Sequence, residues 1–257
     1  MSDSTSMSGG PAASAAISVG AVIKRTFSVF LANLVPFSIL ALVLQIPALL
    51  YNLTTVDDLM VGAEPDFDLG GTVILLVSIV LSYVLMAALV YGTVAYMRGR
   101  PAGIGQLISS GLAAFFPVLI IAILASLIMG VGLVLLIVPG VFAIVIFAVT
   151  VPAYVVEKPG IIGSFKRSME LTKGNRWQVL GVLVILFVVL LILGSVFGLV
   201  AGVAVFTGFG LSLIMIVNYV VSAISSALLA VAVSVLYHDL RIAKEGVDTE
   251  QIAAVFD

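Results

Sequence analysis

From Phe116 to Val156 the chain runs through one apolar stretch without a single charged residue. Wound as a helix at about 1.5 Å per residue, it is far longer than the roughly 30 Å hydrocarbon core of a bilayer, so it has to cross and fold back. Pro139-Gly140 is the expected turn, because Pro presets φ at the first central position of a type II turn and Gly supplies the positive φ at the second. The rest of the chain has the same character. Of 257 residues, 62% are apolar and 9% charged, against roughly 25% charged in soluble domains, which leaves too few polar groups for a water-soluble exterior.

A span needs about 20 mostly apolar residues. The predicted spans are Ser28 to Tyr51, Thr72 to Met97, Phe116 to Val138, Gly140 to Val156, Val179 to Ala201 and Leu211 to Tyr237. The expected fold is therefore all-α: an integral membrane bundle of six transmembrane helices paired as three hairpins. It forms a single domain over 17–240. Residues 1–16, Gly/Ser-rich and poor in apolar bulk, are expected to be a disordered tail. Residues 241–257 are expected to be a cytoplasmic tail. No secretory signal is read at the start, because the first cations, Lys24 and Arg25, come late and just before a span.

Sidedness follows from the cations. Asp57, Asp58, Glu64, Asp66 and Asp68 lie between the first two spans with no Lys or Arg among them. All eleven cations fall on the other side: Lys24 and Arg25, then Arg98 and Arg100, then Lys158, Lys166, Arg167, Lys173 and Arg176, then Arg241 and Lys244. Cation-rich loops stay inside, so that side is expected to be cytoplasmic with both termini on it, as for a bacterial inner-membrane protein. A re-entrant third and fourth pair would keep the same parity.

Each span pair is preceded by a short amphipathic leader: ISVGAVIKRTF from Ile17, GIGQLISSGLAAFF from Gly103 and GIIGSFKRSMELTK from Gly160. In the third, Ile161, Phe165, Met169 and Thr172 recur at helical spacing, which predicts an interfacial helix lying in the headgroup plane on the cytoplasmic side. Lys24, Arg25, Thr26 and Asn33 align with Lys166, Arg167, Ser168 and Asn175, a pattern open to two readings: a repeated leader-plus-hairpin unit, or the common need of an entering span for cations and Asn. Lys166, Arg167, Lys173, Arg176, Trp177 and Arg241 form the candidate lipid-headgroup rim, each cation near an anionic leaflet gaining about 1 kcal/mol; topology alone also accounts for them. Gly194, Gly198 and Gly202, with Ser222, Ser226 and Ala230, make small-residue ridges for helix packing. The ridges serve either contact between the last two spans or a homodimer.

No Asp, Glu, Lys, Arg or His falls inside any predicted span, and His238 and Asp239 are the nearest. Proton relays, ion-coupled carriers and intramembrane proteases need such groups, so no catalytic residues are assigned and no enzyme is expected. With no Cys and one His, no metal site or cofactor is expected. The alternation Glu64-Pro-Asp66-Phe-Asp68 fails as a calcium loop, since Leu69 and Leu75 stand where Gly and Glu are required. A net charge of -2 gives no footprint for nucleic acid. The four prolines Pro36, Pro47, Pro117 and Pro152 are expected to kink spans.

Beyond Pro139, the chain carries Glu157 with Gly160, Ser164 with Arg167-Ser168, Leu171-Thr172-Lys173-Gly174, Arg176-Trp177, and Asp239-Leu240-Arg241 with Glu245-Gly246. This pattern resembles the bacterial multi-pass family called the glycerophosphoryl diester phosphodiesterase membrane domain and related YciC-like inner-membrane proteins. His238 departs from it, where an aromatic commonly precedes Asp-Leu-Arg. The resemblance implies a membrane region without phosphodiesterase activity of its own, since the short stretch after the last span is expected to house no catalytic barrel of about 250 residues. The expected function is a non-catalytic membrane module that organises lipids or protein partners. The alternative is a transporter, channel or accessory subunit for a lipid-like or amphipathic solute, passing along a groove lined by Gln45, Asn218 and Ser222.

Overall fold

The computed structural model describes residues 16–60, 69–206 and 211–246, and among them every regular element is an α-helix. In chain order these are α1 (Val19–Ala32), α2 (Leu34–Leu44), α3 (Ile46–Met60), α4 (Leu69–Met97), α5 (Ile104–Leu135), α6 (Ile137–Phe147), α7 (Thr150–Glu157), α8 (Ile161–Thr172), α9 (Arg176–Phe206) and α10 (Leu211–Glu245). Most of the expected N-terminal tail, the acids Glu64, Asp66 and Asp68, and most of the C-terminal tail lie outside the described residues.

By length and composition, five of the described segments can cross a membrane: α4, α5, the α6–α7 pair, α9 and α10. The expected first span, Ser28 to Tyr51, is not one straight helix. It is interrupted at Asn33 and again at Gln45, and α1 meets α2 at 76°; counting that bent pair as one crossing makes six. Asn33 sits buried at the bend, its Nδ2 donating to the Val29 carbonyl at 2.9 Å.

Prolines explain where the helices break. Pro36, Pro47, Pro139 and Pro152 each fall in the first turn of the helix that follows an interruption, at Asn33, Gln45, Leu136 and Ala148-Val149. A proline lacks the N–H that would reach back four residues and its ring crowds that carbonyl, but within a first turn neither costs anything. The reversal between the third and fourth predicted spans is accordingly at Leu136, in extended conformation (φ -160°, ψ 140°), and not at Pro139-Gly140. Gly140 serves packing instead: a Cβ there would come within 2.5 Å of Leu133. Pro117 is the exception, lying inside a continuous α5. That continuity also absorbs the second leader, which is the first part of α5 and not a separate interfacial element.

α10 and α4 are the central helices and α5 and α9 the peripheral ones: 56% of the α10 span is buried but 11% of the α5 span. Along α10 the buried small residues include Ala223, Ala227, Ala230 and Ser234 at helical spacing, with Ala232 buried beside them, so α1, α2, α4 and α9 can pack closely around it. Close backbone approach also occurs where Gly111 of α5 meets the Val84 carbonyl of α4; a Cβ would be 2.5 Å from that oxygen. The predicted ridge on α9 does not do this within the chain. A Cβ at Gly194, Gly198 or Gly202 would meet nothing within 4 Å, and large apolar groups, among them Phe197 and Val220, line a space between α9 and α10. Ser222 and Ser226 are likewise exposed, and Ser226 donates locally to the Ser222 carbonyl.

Candidate functional site

The polar side chains of the described residues concentrate where α7 and α10 end. Glu157, the last residue of α7, accepts from Arg167 Nε of α8 at 2.7 Å on one oxygen and from the Tyr237 hydroxyl of α10 at 2.6 Å on the other. Arg167 reaches on to Glu245, which also accepts from Arg241 Nε one turn earlier on α10 at 2.7 Å. Two guanidinium groups thus meet two carboxylates and one phenol in a charge-balanced chain. Burial alone would favour loss of the Arg167 proton, but the hydrogen bonds and charges of Glu157 and Glu245 outweigh it and hold the guanidinium above its ordinary range.

α8 is positioned for this by folding back along α6 and α7. Phe165 meets Phe147 edge-on at 5.2 Å between ring centroids, and the buried Ser168 hydroxyl donates to the Ile146 carbonyl at 2.7 Å. The buried stripe of α8 is Ser164, Ser168, Leu171 and Thr172, whereas Met169 of the expected apolar face is exposed. A neighbouring helix, and not only a headgroup layer, therefore dictates which face turns inward.

Among the six predicted rim residues, Arg167 and Arg241 are brought together, each engaged with carboxylate. Arg176 stands apart, its guanidinium 4.8 Å over the Phe142 ring and its Nε buried without a partner. Lys166, Lys173 and Trp177 are exposed. Arg25 of α1 pairs with Asp239, which also lies 3.4 Å from His238 Nδ1. The aligned leader positions share surroundings: Arg25 and Arg167 each pair with an acid of α10, Thr26 and Ser168 are fully buried, and Asn33 and Asn175 are buried beside the next helix. Asn175 Oδ1 accepts from the Ile17 N–H at 3.0 Å, tying the start of α1 to that of α9.

Two of the cavities bear on what the chain could bind. One of about 440 Å³ opens among the spans, lined by Gln45, Ser82, Tyr83, Met86, Val118 and Ser226, with Gln45 Nε2 buried and unpartnered. Gln45 is where the predicted groove required it, but Asn218 and Ser222 do not line this cavity. The other, of about 360 Å³, lies beside the end of α7 between Tyr91, Ser109, Ser110, Tyr154 and Lys158. Sequence reasoning counted Lys158 among the orienting cations without singling it out; its placement directly before Pro159-Gly160 was the available signal. Among the described residues no three His, Cys, Asp or Glu side chains gather as metal ligands.

A family model, Domain of unknown function (DUF7847), matches residues 67–240, more than half of the chain, and the chain belongs to that family. The match covers Glu157, Lys158, Arg167 and Tyr237 and stops just before Arg241 and Glu245. No curated protein and no solved structure matches.

Proposed function

Taking membership of this uncharacterised family as the premise, we propose that the chain is a non-catalytic membrane module that holds lipid or a protein partner at its cation-bearing, cytoplasmic end. What carries the reading is the distribution of charge. Within α4, α5, α9 and α10 charge is confined to the helix ends, the other cations described lie on the short α1 and α8 or in loops, and the largest group is mutually neutralised. The spans between offer exposed apolar surface, with Leu127, Val134, Phe187 and Leu199 well exposed, as suits contact with acyl chains. The finer likeness to the glycerophosphoryl diester phosphodiesterase membrane domain belongs to this proposal. Its support is that Glu157, Arg167, Arg241 and Glu245, distant marks in the sequence, meet in one cluster. On this reading the membrane is a bacterial inner membrane.

Native mass spectrometry after mild extraction tests it. Retained lipid or a stoichiometric partner is expected; a bare monomer under conditions that keep other membrane proteins lipidated would overturn the proposal. A second reading, passage of an amphipathic solute, rests on the cavity at Gln45, whose unpartnered amide can donate to an ester or ketone oxygen at depth. Flux in reconstituted vesicles equal to that in empty ones would remove it.

A further inference from the structure

The cavity beside α7 differs from the ionic cluster in having hydrogen-bond donors and no acid. Tyr91, Ser110, Tyr154 and Lys158 line it, and none of the four has a side-chain partner among the described residues; Ser109 donates to the Gln106 carbonyl at 3.1 Å. No Asp or Glu lines the space. Glu157, one residue away, is already occupied by Arg167 and Tyr237. Three hydroxyls and an ammonium without a carboxylate favour a ligand made of acceptor oxygens carrying negative charge. The volume of about 360 Å³ falls in the range of about 300–1,000 Å³ typical of small-molecule sites.

The backbone adds an independent sign. Lys158 has φ 53° and ψ 42°, the left-handed conformation that ends many helices and is ordinarily given to Gly or Asn. Its N–H completes the turn on the Tyr154 carbonyl at 2.9 Å, which any residue would do. A lysine kept where glycine is conformationally better points to a use for the side chain. Depth fits as well. Tyr91 lies six residues before the end of α4 and Ser109 five after the start of α5, on the order of 9 Å inside the helix ends at about 1.5 Å per residue, as suits a site at headgroup level. Phe116, one turn of α5 beyond Ala113 of the cavity wall, is 65% exposed and offers a surface for acyl chains.

We propose that this cavity seats the phosphate of an anionic lipid headgroup, with the Lys158 ammonium as its counter-charge and the Tyr91, Tyr154 and Ser110 hydroxyls as donors. The assignment rests on the reading of the chain as a lipid-holding module and names the lipid class and the residues.

The test uses full-length protein in nanodiscs of mixed phosphatidylglycerol and phosphatidylethanolamine, with retained lipid read by native mass spectrometry and stability by thermal midpoint. Wild type is expected to retain phosphatidylglycerol preferentially. Lys158→Arg is expected to keep that preference. Lys158→Gly is expected to reduce it at least fivefold while leaving the midpoint unchanged or higher, because glycine suits the left-handed position. Lys173→Gln, which removes an exposed lysine outside the cavity, should keep the preference. An undiminished preference in Lys158→Gly, an equal loss in Lys173→Gln, or a fall in midpoint in Lys158→Gly would each overturn the assignment; the last would mean that the lysine merely holds the end of α7. Displacement of the lipid by excess inorganic phosphate would assign the site to the free anion. Protein that retains neither lipid sinks the broader reading, whereas retention indifferent to Lys158 sinks this cavity alone.

Discussion

Glu157 and Lys158 are adjacent in sequence and face opposite situations. The carboxylate of Glu157 is saturated by Arg167 and Tyr237, in a cluster whose two positive and two negative groups cancel. Lys158, beyond the end of α7, lines a cavity with hydroxyls and no acid. A helix end can therefore divide two kinds of cation at one membrane face. Arginines whose planar forks suit bidentate carboxylate contacts are spent on fixing α7, α8 and α10 to one another, while a lysine, a mobile point charge, is left facing open space. Counting cations along the sequence predicts a sidedness but cannot make this division.

The contrast breaks most severely at Glu157. Glu157→Ala leaves Arg167 with Glu245 as its one carboxylate and strands the buried Tyr237 hydroxyl, and losing a charged partner together with a buried hydrogen bond costs about 3 kcal/mol. A large fall in thermal midpoint is expected, with preference for anionic lipid unchanged provided the fold persists. If the preference collapses at temperatures where the variant is still folded, the two regions are one site. Arg167→Lys should cost less, about 1.5 kcal/mol, because an ammonium cannot span Glu157 and Glu245 as the guanidinium does. A midpoint equal to wild type would show that charge alone, without fork geometry, holds α8 in place.

How much of this was legible beforehand depends on which force set each feature. Helical class and long apolar crossings at α4, α5, α9 and α10 followed from composition and run length, because a bilayer leaves the backbone few alternatives. Breaks were misplaced where proline was read as the turn itself: Pro139 opens α6, and the chain reverses before it at Leu136. On α8 the expected stripe holds only in part: Thr172 is buried and Phe165 packs edge-on against Phe147 of α6, but Met169 is exposed and the Ser168 hydroxyl turns inward to the Ile146 carbonyl. Packing against specific neighbours decided that, and it leaves no periodic trace. The α9 glycines meet no neighbour within the chain, which removes one of their two readings, since small residues permit close approach without supplying a partner. By contrast the short alignment pairs residues of like burial, and Arg25 and Arg167 each reach an acid of α10, but their partners differ: Thr26 and Asn33 bond within α1, whereas Ser168 and Asn175 bond to other segments.

Tyr237→Phe is the mildest probe and the most discriminating. The hydroxyl donates to Glu157 Oε1 at 2.6 Å, so its removal deletes one charge-assisted bond while the ring stays packed; Tyr237 is 1% exposed. Glu157 keeps Arg167 and about a fifth of its side chain remains open to solvent, so water can take the vacated place and the cost should be about 1 kcal/mol. A double-mutant cycle with Glu157→Ala isolates the bond: once the carboxylate is gone the phenol has nothing to donate to, and Tyr237→Phe should then be nearly neutral or slightly stabilising. Strict additivity would mean that the hydroxyl gains nothing from Glu157, and the closed region would reduce to its ion pairs.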